Sequence, residues 1–194
     1  MDSAADITGA IRDVVVARGA PGPTFEFLRG YIGRHLFDTF SDLGFPEEQH
    51  EAMLNEYRAI YPARKHASTS VFPGVAEMLA GLGGWKSTAT TKGTPMTRSV
   101  LEQFGLLHHF SHVQDTDGFP AKPQPDVILK SLQLCGVEPS QCLLVGDAPA
   151  DMEAGRRAGV KTCAVRWGYG DPSEMARWNP DYWIDQPAEL LNNA

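Results

Sequence analysis

At Val71-Phe72-Pro73-Gly74 the residue pattern changes its period, and no other feature of the chain restricts the fold as much. Before this point apolar residues recur at helical spacing: Ile7, Ile11, Val14 and Val15; Phe25, Leu28 and Ile32; Leu36, Phe37 and Phe40; Met53, Leu54, Tyr57 and Ile60. Gly19, Pro21 and Gly22 end the first run, while Gly33 and Gly44-Phe45-Pro46 punctuate the rest. Residues 1–70 therefore read as an all-helical domain. After the break, short apolar runs alternate with helical stretches. The pattern predicts strands near residues 85–90, 111–115, 142–146 and 161–165, and helices near 74–82, 95–104, 125–135 and 150–158. A last short element holds Tyr182, Trp183 and Ile184 before Leu190. Strands separated by helices form a parallel sheet covered on both faces, so residues 71–194 are expected to be an α/β domain.

Charge narrows the range of partners. The chain of 194 residues carries 17 Lys and Arg against 24 Asp and Glu, a formal net charge of −7, and no basic stripe long enough to follow a phosphate backbone. This argues against nucleic acid. The overall field also repels a small phosphorylated molecule, so a metal ion or a lysine at the site has to supply local positive charge. No run approaches the ~18 apolar residues that a membrane-spanning helix needs, and the N-terminus opens with Asp2 and Asp6 and has no basic leader. Neither a membrane span nor an export signal is expected. Cys135, Cys142 and Cys163 are odd in number and widely spaced. They read as buried thiols in a reducing cytoplasm and not as a disulfide framework.

Ligands of an open α/β sheet bind beyond the carboxyl ends of its strands, which directs attention to three loops. Leu144-Val145-Gly146-Asp147-Ala148-Pro149-Ala150-Asp151 brings an apolar strand to a first carboxylate and places a second in the opening turn of a helix. Two such acids suit one hard cation with oxygen ligands, magnesium being the expected ion; equally, Asp147 could cap the helix and Asp151 answer its dipole. In Phe119-Pro120-Ala121-Lys122-Pro123-Gln124-Pro125 the prolines are expected to hold the chain extended and present Lys122 ahead of a helix. That lysine can hold a phosphate as a point charge, or be a solvated turn residue. Ser87-Thr88-Ala89-Thr90-Thr91-Lys92-Gly93 ends a predicted strand in hydroxyls before a helix, where Thr90 and Thr91 suit phosphoryl oxygens or simply a strand end and a cap.

Taken in order, a hydroxyl, then a lysine, then Gly-Asp with a second Asp four residues on, these loops resemble motifs two, three and four of the haloacid dehalogenase-like superfamily. Leu28-Arg29-Gly30-Tyr31-Ile32-Gly33, Phe72-Pro73-Gly74-Val75, Leu101-Glu102-Gln103-Phe104-Gly105-Leu106 and Trp167-Gly168-Tyr169-Gly170 look like its phosphoglycolate phosphatase branch. The resemblance implies a Rossmann-like parallel sheet flanked by helices in residues 71–194, and a helical cap in residues 1–70 that closes over the substrate. It implies that Thr90 bonds the phosphoryl group and that Lys122 steadies phosphate and nucleophile. Asp147 and Asp151 would hold Mg2+, Asp147 counting among the catalytic residues, and Arg29 would reach a substrate carboxylate.

The superfamily's first motif, an apolar strand ending in Asp-x-Asp-Gly-Thr and soon followed by Asp-Ser, should stand before the cap, yet this sequence starts at Met1-Asp2-Ser3. By the resemblance that strand is central in the sheet and carries the nucleophile, which forms an aspartyl-phosphate, and the general acid. The expectation is that the natural polypeptide begins further upstream, and that the 194 residues alone are marginally stable and inactive. Two functions stay open: a magnesium-dependent phosphatase of a small phosphorylated metabolite such as phosphoglycolate, and a catalytically inactive relative that binds a ligand or a protein.

Overall fold

The computed structural model describes residues 1–114, 118 and 120–193. Contacts divide the chain into two units, Met1–Ser70 and Val71–Ala194.

The first unit is built from α1 (Ala4–Ala17), α2 (Phe25–Arg29), α3 (Leu36–Asp42) and α4 (Glu47–Ala63). The apolar stripe of α1 explains why they assemble: Ile11, Val14 and Val15 pack with Leu28, Phe40 and Met53 into one core, and Ile7, Leu36, Phe37, Tyr57 and Ile60 close around it. Burial of each such side chain contributes about 1.5–3 kcal/mol. Gly19, at a φ of 74°, ends α1 where a left-handed residue is needed. The two ends of the unit are tied by reciprocal backbone hydrogen bonds between Asp2 and Ser70 (2.8 and 2.9 Å). The buried Asp6 carboxylate reinforces this by accepting from Ser68 N (3.0 Å) and Thr69 Oγ1 (2.7 Å).

The second unit runs α5 (Val75–Gly81), α6 (Thr94–Gln103), α7 (Asp126–Cys135), β1 (Leu143–Gly146), α8 (Pro149–Ala158), β2 (Lys161–Val165), α9 (Pro172–Ala176), β3 (Tyr182–Ile184) and α10 (Leu190–Asn193). The strands form a parallel sheet in the order β1-β2-β3, with Gly146 beside Ala164 and Ala164 beside Trp183. α7 and α8 cover it through Val127, Ile128, Leu132, Ala154 and Ala158, and Leu144 of β1 packs among them. Met152 of α8 meets Ala164 and Met175 in a second cluster.

Two of the expected strands are not strands. Among the described residues, 85–90 and 111–114 form no continuous ladder: Ser87 bridges His112 in parallel, and Thr90 stands in a further isolated bridge; Asp115, also placed in a strand from the sequence, lies outside the described residues. The reason is local. Between Ser87 and Thr90, Thr88 Oγ1 donates to Gln114 O (2.7 Å) and accepts from Gln114 N (2.8 Å), so a side chain stands in for backbone rungs there. The cysteines also differ from expectation: all three are free thiols, but only Cys163 is fully buried, with Cys135 and Cys142 part-exposed. Among the described residues no helix is long and apolar enough to cross a membrane.

Gly155 sets the approach of α8 to the sheet. A Cβ there would stand 2.4 Å from Thr162 Cγ2 and 3.1 Å from Leu144 Cδ2. Thr162 cannot turn away, because it is fully buried and its N–H and hydroxyl are both held by Asp181 Oδ2 (2.8 and 3.2 Å). In an open helix, replacing glycine by alanine stabilises by about 1 kcal/mol. Gly155→Ala is expected to do the reverse here, lowering stability by about 1–3 kcal/mol through overpacking, as measured by urea denaturation.

Candidate functional site

β1 ends at Gly146 and α8 begins at Pro149, which leaves Asp147 at the carboxyl end of the strand and Asp151 in the first turn of the helix. Gly146 makes their convergence possible, since a Cβ at that position would come within 2.4 Å of Asp151 Cβ and 2.6 Å of Oδ2. Across this gap Asp151 Oδ2 accepts from Asp147 N (3.2 Å) and Ala148 N (3.0 Å). Thus Asp151, and not Asp147, answers the exposed amides at the start of α8.

The other oxygen of Asp151 meets Lys122. Nζ lies 2.5 Å from Asp151 Oδ1 and donates a second hydrogen bond to Ala89 O (2.7 Å). Both side chains are largely removed from water, at 15% and 9% exposed. A lysine ammonium has three donors, so one N–H remains for a further acceptor. The segment that delivers it is a turn and not the extended run that its prolines suggest: Gln124 N donates to Ala121 O (3.0 Å) just before α7. Flanked by Pro123 and Pro125, Gln124 carries the only N–H of that tripeptide, so it is the donor available to close the turn. Phe119, which opens the motif, lies outside the described residues.

Because Ala89 precedes Thr90, the Lys122 contact brings the hydroxyl loop to the acid pair. Thr90 Oγ1 accepts from Lys92 N (3.1 Å), which orients the hydroxyl and leaves its proton to donate. Thr91 is exposed beside it. The structure therefore brings together Thr90, Lys122 and Asp151, with Asp147 hydrogen-bonded to Asp151. Arg29 is placed differently: it is the exposed last residue of α2 in the helical unit.

Residues that the motif reading passed over also shape the site. Burial pushes the Lys92 ammonium down to about 8. Tyr169 N donates to Asp147 Oδ2 (3.0 Å). Tyr169 belongs to the Trp167-Gly168-Tyr169-Gly170 segment, which carried only a resemblance in the sequence and gave no sign of where it would lie.

The donor set suits one hard cation in part. Among the described residues Asp147 Oδ1 takes no hydrogen bond, and no group of three or more His, Cys, Asp and Glu converges as a complete metal cage. Magnesium fits such a place, because it keeps several waters and is bound by one or two carboxylates together with substrate phosphate oxygens.

Comparison with known proteins bears on the family and the fold. The family model described as haloacid dehalogenase-like hydrolase matches residues 1–165. The chain is 31% identical to phosphoglycolate phosphatase 1 of Pseudomonas aeruginosa, over 98% of this chain and 74% of that protein. It is 33% identical to the tyrosine-protein kinase PtkA of Mycobacterium tuberculosis, over 87% of this chain and 59% of that protein. A haloacid dehalogenase-like hydrolase structure from Streptococcus pneumoniae superposes with a TM-score of 0.91 at 26% identity, covering 99% of this chain and 91% of that one.

Two stability measurements test the site as built. Lys122→Met leaves Asp151 charged, buried and short of its cation, and is expected to destabilise by about 3–5 kcal/mol; adding Asp151→Asn should recover part of that loss in a double-mutant cycle. For Lys92 the folded protein binds its proton less tightly than the unfolded chain. The penalty is complete below the folded value of about 8, and stability rises with pH from there to the ordinary 10.5. Lys92→Met should therefore raise Tm at pH 7, with a gain that shrinks as the pH increases from 8 to 10.5.

Proposed function

The chain belongs to the haloacid dehalogenase-like hydrolase family, and from that premise we propose that it is the greater part of a magnesium-dependent phosphatase acting on a small phosphorylated metabolite, with phosphoglycolate the first candidate. The observation that carries this reading is the Lys122 ammonium, held between Ala89 O and Asp151 Oδ1 with one N–H to give. It sets a positive charge against Asp151 and the carbonyl that precedes Thr90, where an anionic substrate has to overcome a net charge of −7.

Each residue then has a definite task. Thr90 donates its hydroxyl proton to a phosphoryl oxygen, Thr91 contributes at the rim, and Lys122 directs its remaining N–H to the phosphoryl group. Asp147 offers Oδ1 to the metal, while Asp151 orients Lys122 and the Asp147 backbone and stands second in line as a ligand. A bound Mg2+ would neutralise phosphoryl charge as it develops. In this reading residues 1–70 have the role of the cap that selects the substrate, and Arg29 that of its carboxylate contact.

The chemical step requires a nucleophile in addition. The described residues bring two carboxylates together here and no third, and both are engaged by hydrogen bonds. The reading therefore takes the nucleophilic aspartate from a strand outside these 194 residues, seated along β1. What supports this is the exposure of β1: Val145 is 37% exposed, whereas Cys163 and Ala164 of the neighbouring β2 are at 0%. The same two-carboxylate set favours a second reading, a non-catalytic relative that retains phosphate binding.

The experiment compares the 194-residue chain with the chain extended upstream by a family-like motif-one strand, each assayed for phosphate release from phosphoglycolate and a panel of small phosphomonoesters. Expected is magnesium-dependent hydrolysis by the extended protein alone, abolished by EDTA and lowered about 100-fold in kcat/KM by Thr90→Val. Since one relative bears the name of a tyrosine kinase, ATP with a tyrosine peptide belongs in the panel. No turnover of any phosphoester by the extended protein would favour the binding reading.

A further inference from the structure

The loop that follows β2 grips Asp147 at three points. Tyr169 N donates to the carboxylate at Oδ2 (3.0 Å), and Gly170 N donates to the Asp147 carbonyl oxygen (2.9 Å). The third point is the absence of side chains: a Cβ on Gly168 would lie 2.2 Å from both Asp147 Cβ and Oδ2, and one on Gly170 would lie 2.0 Å from Asp147 O and 3.0 Å from Ala148 Cα. Neither approach is possible for any residue other than glycine, and at Gly170 the obstacle is backbone, which cannot swing away. The Tyr169 ring meets Phe72 at 6.3 Å between centroids, which anchors the loop on its outer side.

We propose that residues 168–170 are the positioning element of the cation site: they fix Asp147 with Oδ2 committed to the Tyr169 amide and Oδ1 as the single oxygen offered to the metal. The inference rests on the reading of Asp147 as a cation ligand and extends it to residues outside the acid loop. A strand end followed by two residues before a helix does not by itself hold a carboxylate rotamer. The clasp supplies that constraint through backbone groups, and its side-chain requirement is negative, the lack of Cβ atoms. Tyr169 acts on Asp147 through its N–H.

Two measurements on the full chain separate the clasp from the metal. First, amide hydrogen exchange without metal: the Tyr169 N–H should be protected, and Asp147→Ala should speed its exchange at least tenfold while the amides of β2 keep their protection. Unchanged exchange at Tyr169 would overturn the clasp whatever the metal does. Second, Mn2+ binding followed by electron paramagnetic resonance: Gly168→Ala and Gly170→Ala should each weaken affinity about 10- to 100-fold, the range found when groups that orient a ligand are removed. Parent-like affinity in both glycine variants would refute the positioning role. A protected Tyr169 amide together with no Mn2+ binding by the parent chain would sink the metal reading, and the positioning role with it. Near-ultraviolet circular dichroism of the tryptophans identifies any glycine variant that fails to fold, and in that case the exchange result decides.

Discussion

A lysine and an aspartate held 2.5 Å apart, with their side chains 15% and 9% exposed, dictate how the α/β unit is arranged. Charges taken out of water need partners for every remaining lone pair and proton, or they destabilise the fold by several kcal/mol. Asp151 finds its partners at the amides of Asp147 and Ala148, and Lys122 at the carbonyl of Ala89. To satisfy this pair the carboxyl end of β1, the first turn of α8, the turn before α7 and the segment leading to Thr90 have to meet. The candidate loops converge because together they supply these bonds to the buried pair, leaving one Lys122 N–H to give.

Around that pair the sheet is unequal. β2 is enclosed, with Thr162, Cys163 and Ala164 inaccessible to solvent, while β1 has β2 on one side and shows Val145 to solvent. The segment before Thr90 stays near β1 through packing and not through a ladder: Ala89 joins the cluster of Val127, Ile128 and Leu132, and Ser87 Oγ lies 3.1 Å from Ser131 Oγ of α7. The helices thus help to hold a segment whose backbone pairing is limited to isolated bridges among the described residues. Periodicity could not have revealed this, since an apolar run reads alike whether its amides meet a neighbouring strand or the hydroxyl of Thr88.

Glycines do the corresponding work at short range. Gly146 admits the Asp151 carboxylate, Gly155 lets α8 settle on β1 and β2, and Gly168 and Gly170 admit Asp147, each at a distance where a Cβ would collide. In the sequence these four are indistinguishable from glycines of turns such as Gly19 or Gly44, which have nothing within 4 Å of a notional Cβ. A glycine that serves close approach differs from one that serves a turn only in what lies opposite, and that neighbour belongs to another element: Thr162 of β2 for Gly155, and Asp147 beyond β1 for Gly168 and Gly170.

The sequence by itself determined the helical character of the first 70 residues, the helices α5 to α8, the strands ending at Gly146 and Val165, and Thr90, Lys122, Asp147 and Asp151 as candidate side chains. These follow from local period and from residue type, which the chain carries wherever it folds. Only the tertiary structure decided that Lys122 faces Asp151, that Thr88 bonds Gln114 through its side chain, that the prolines around Lys122 close a turn, and that Tyr169 N holds Asp147. Each of these depends on which distant group fills a hydrogen bond or a space. Such a partner is chosen by burial and sterics over the whole unit, and no stretch of neighbouring residues contains it.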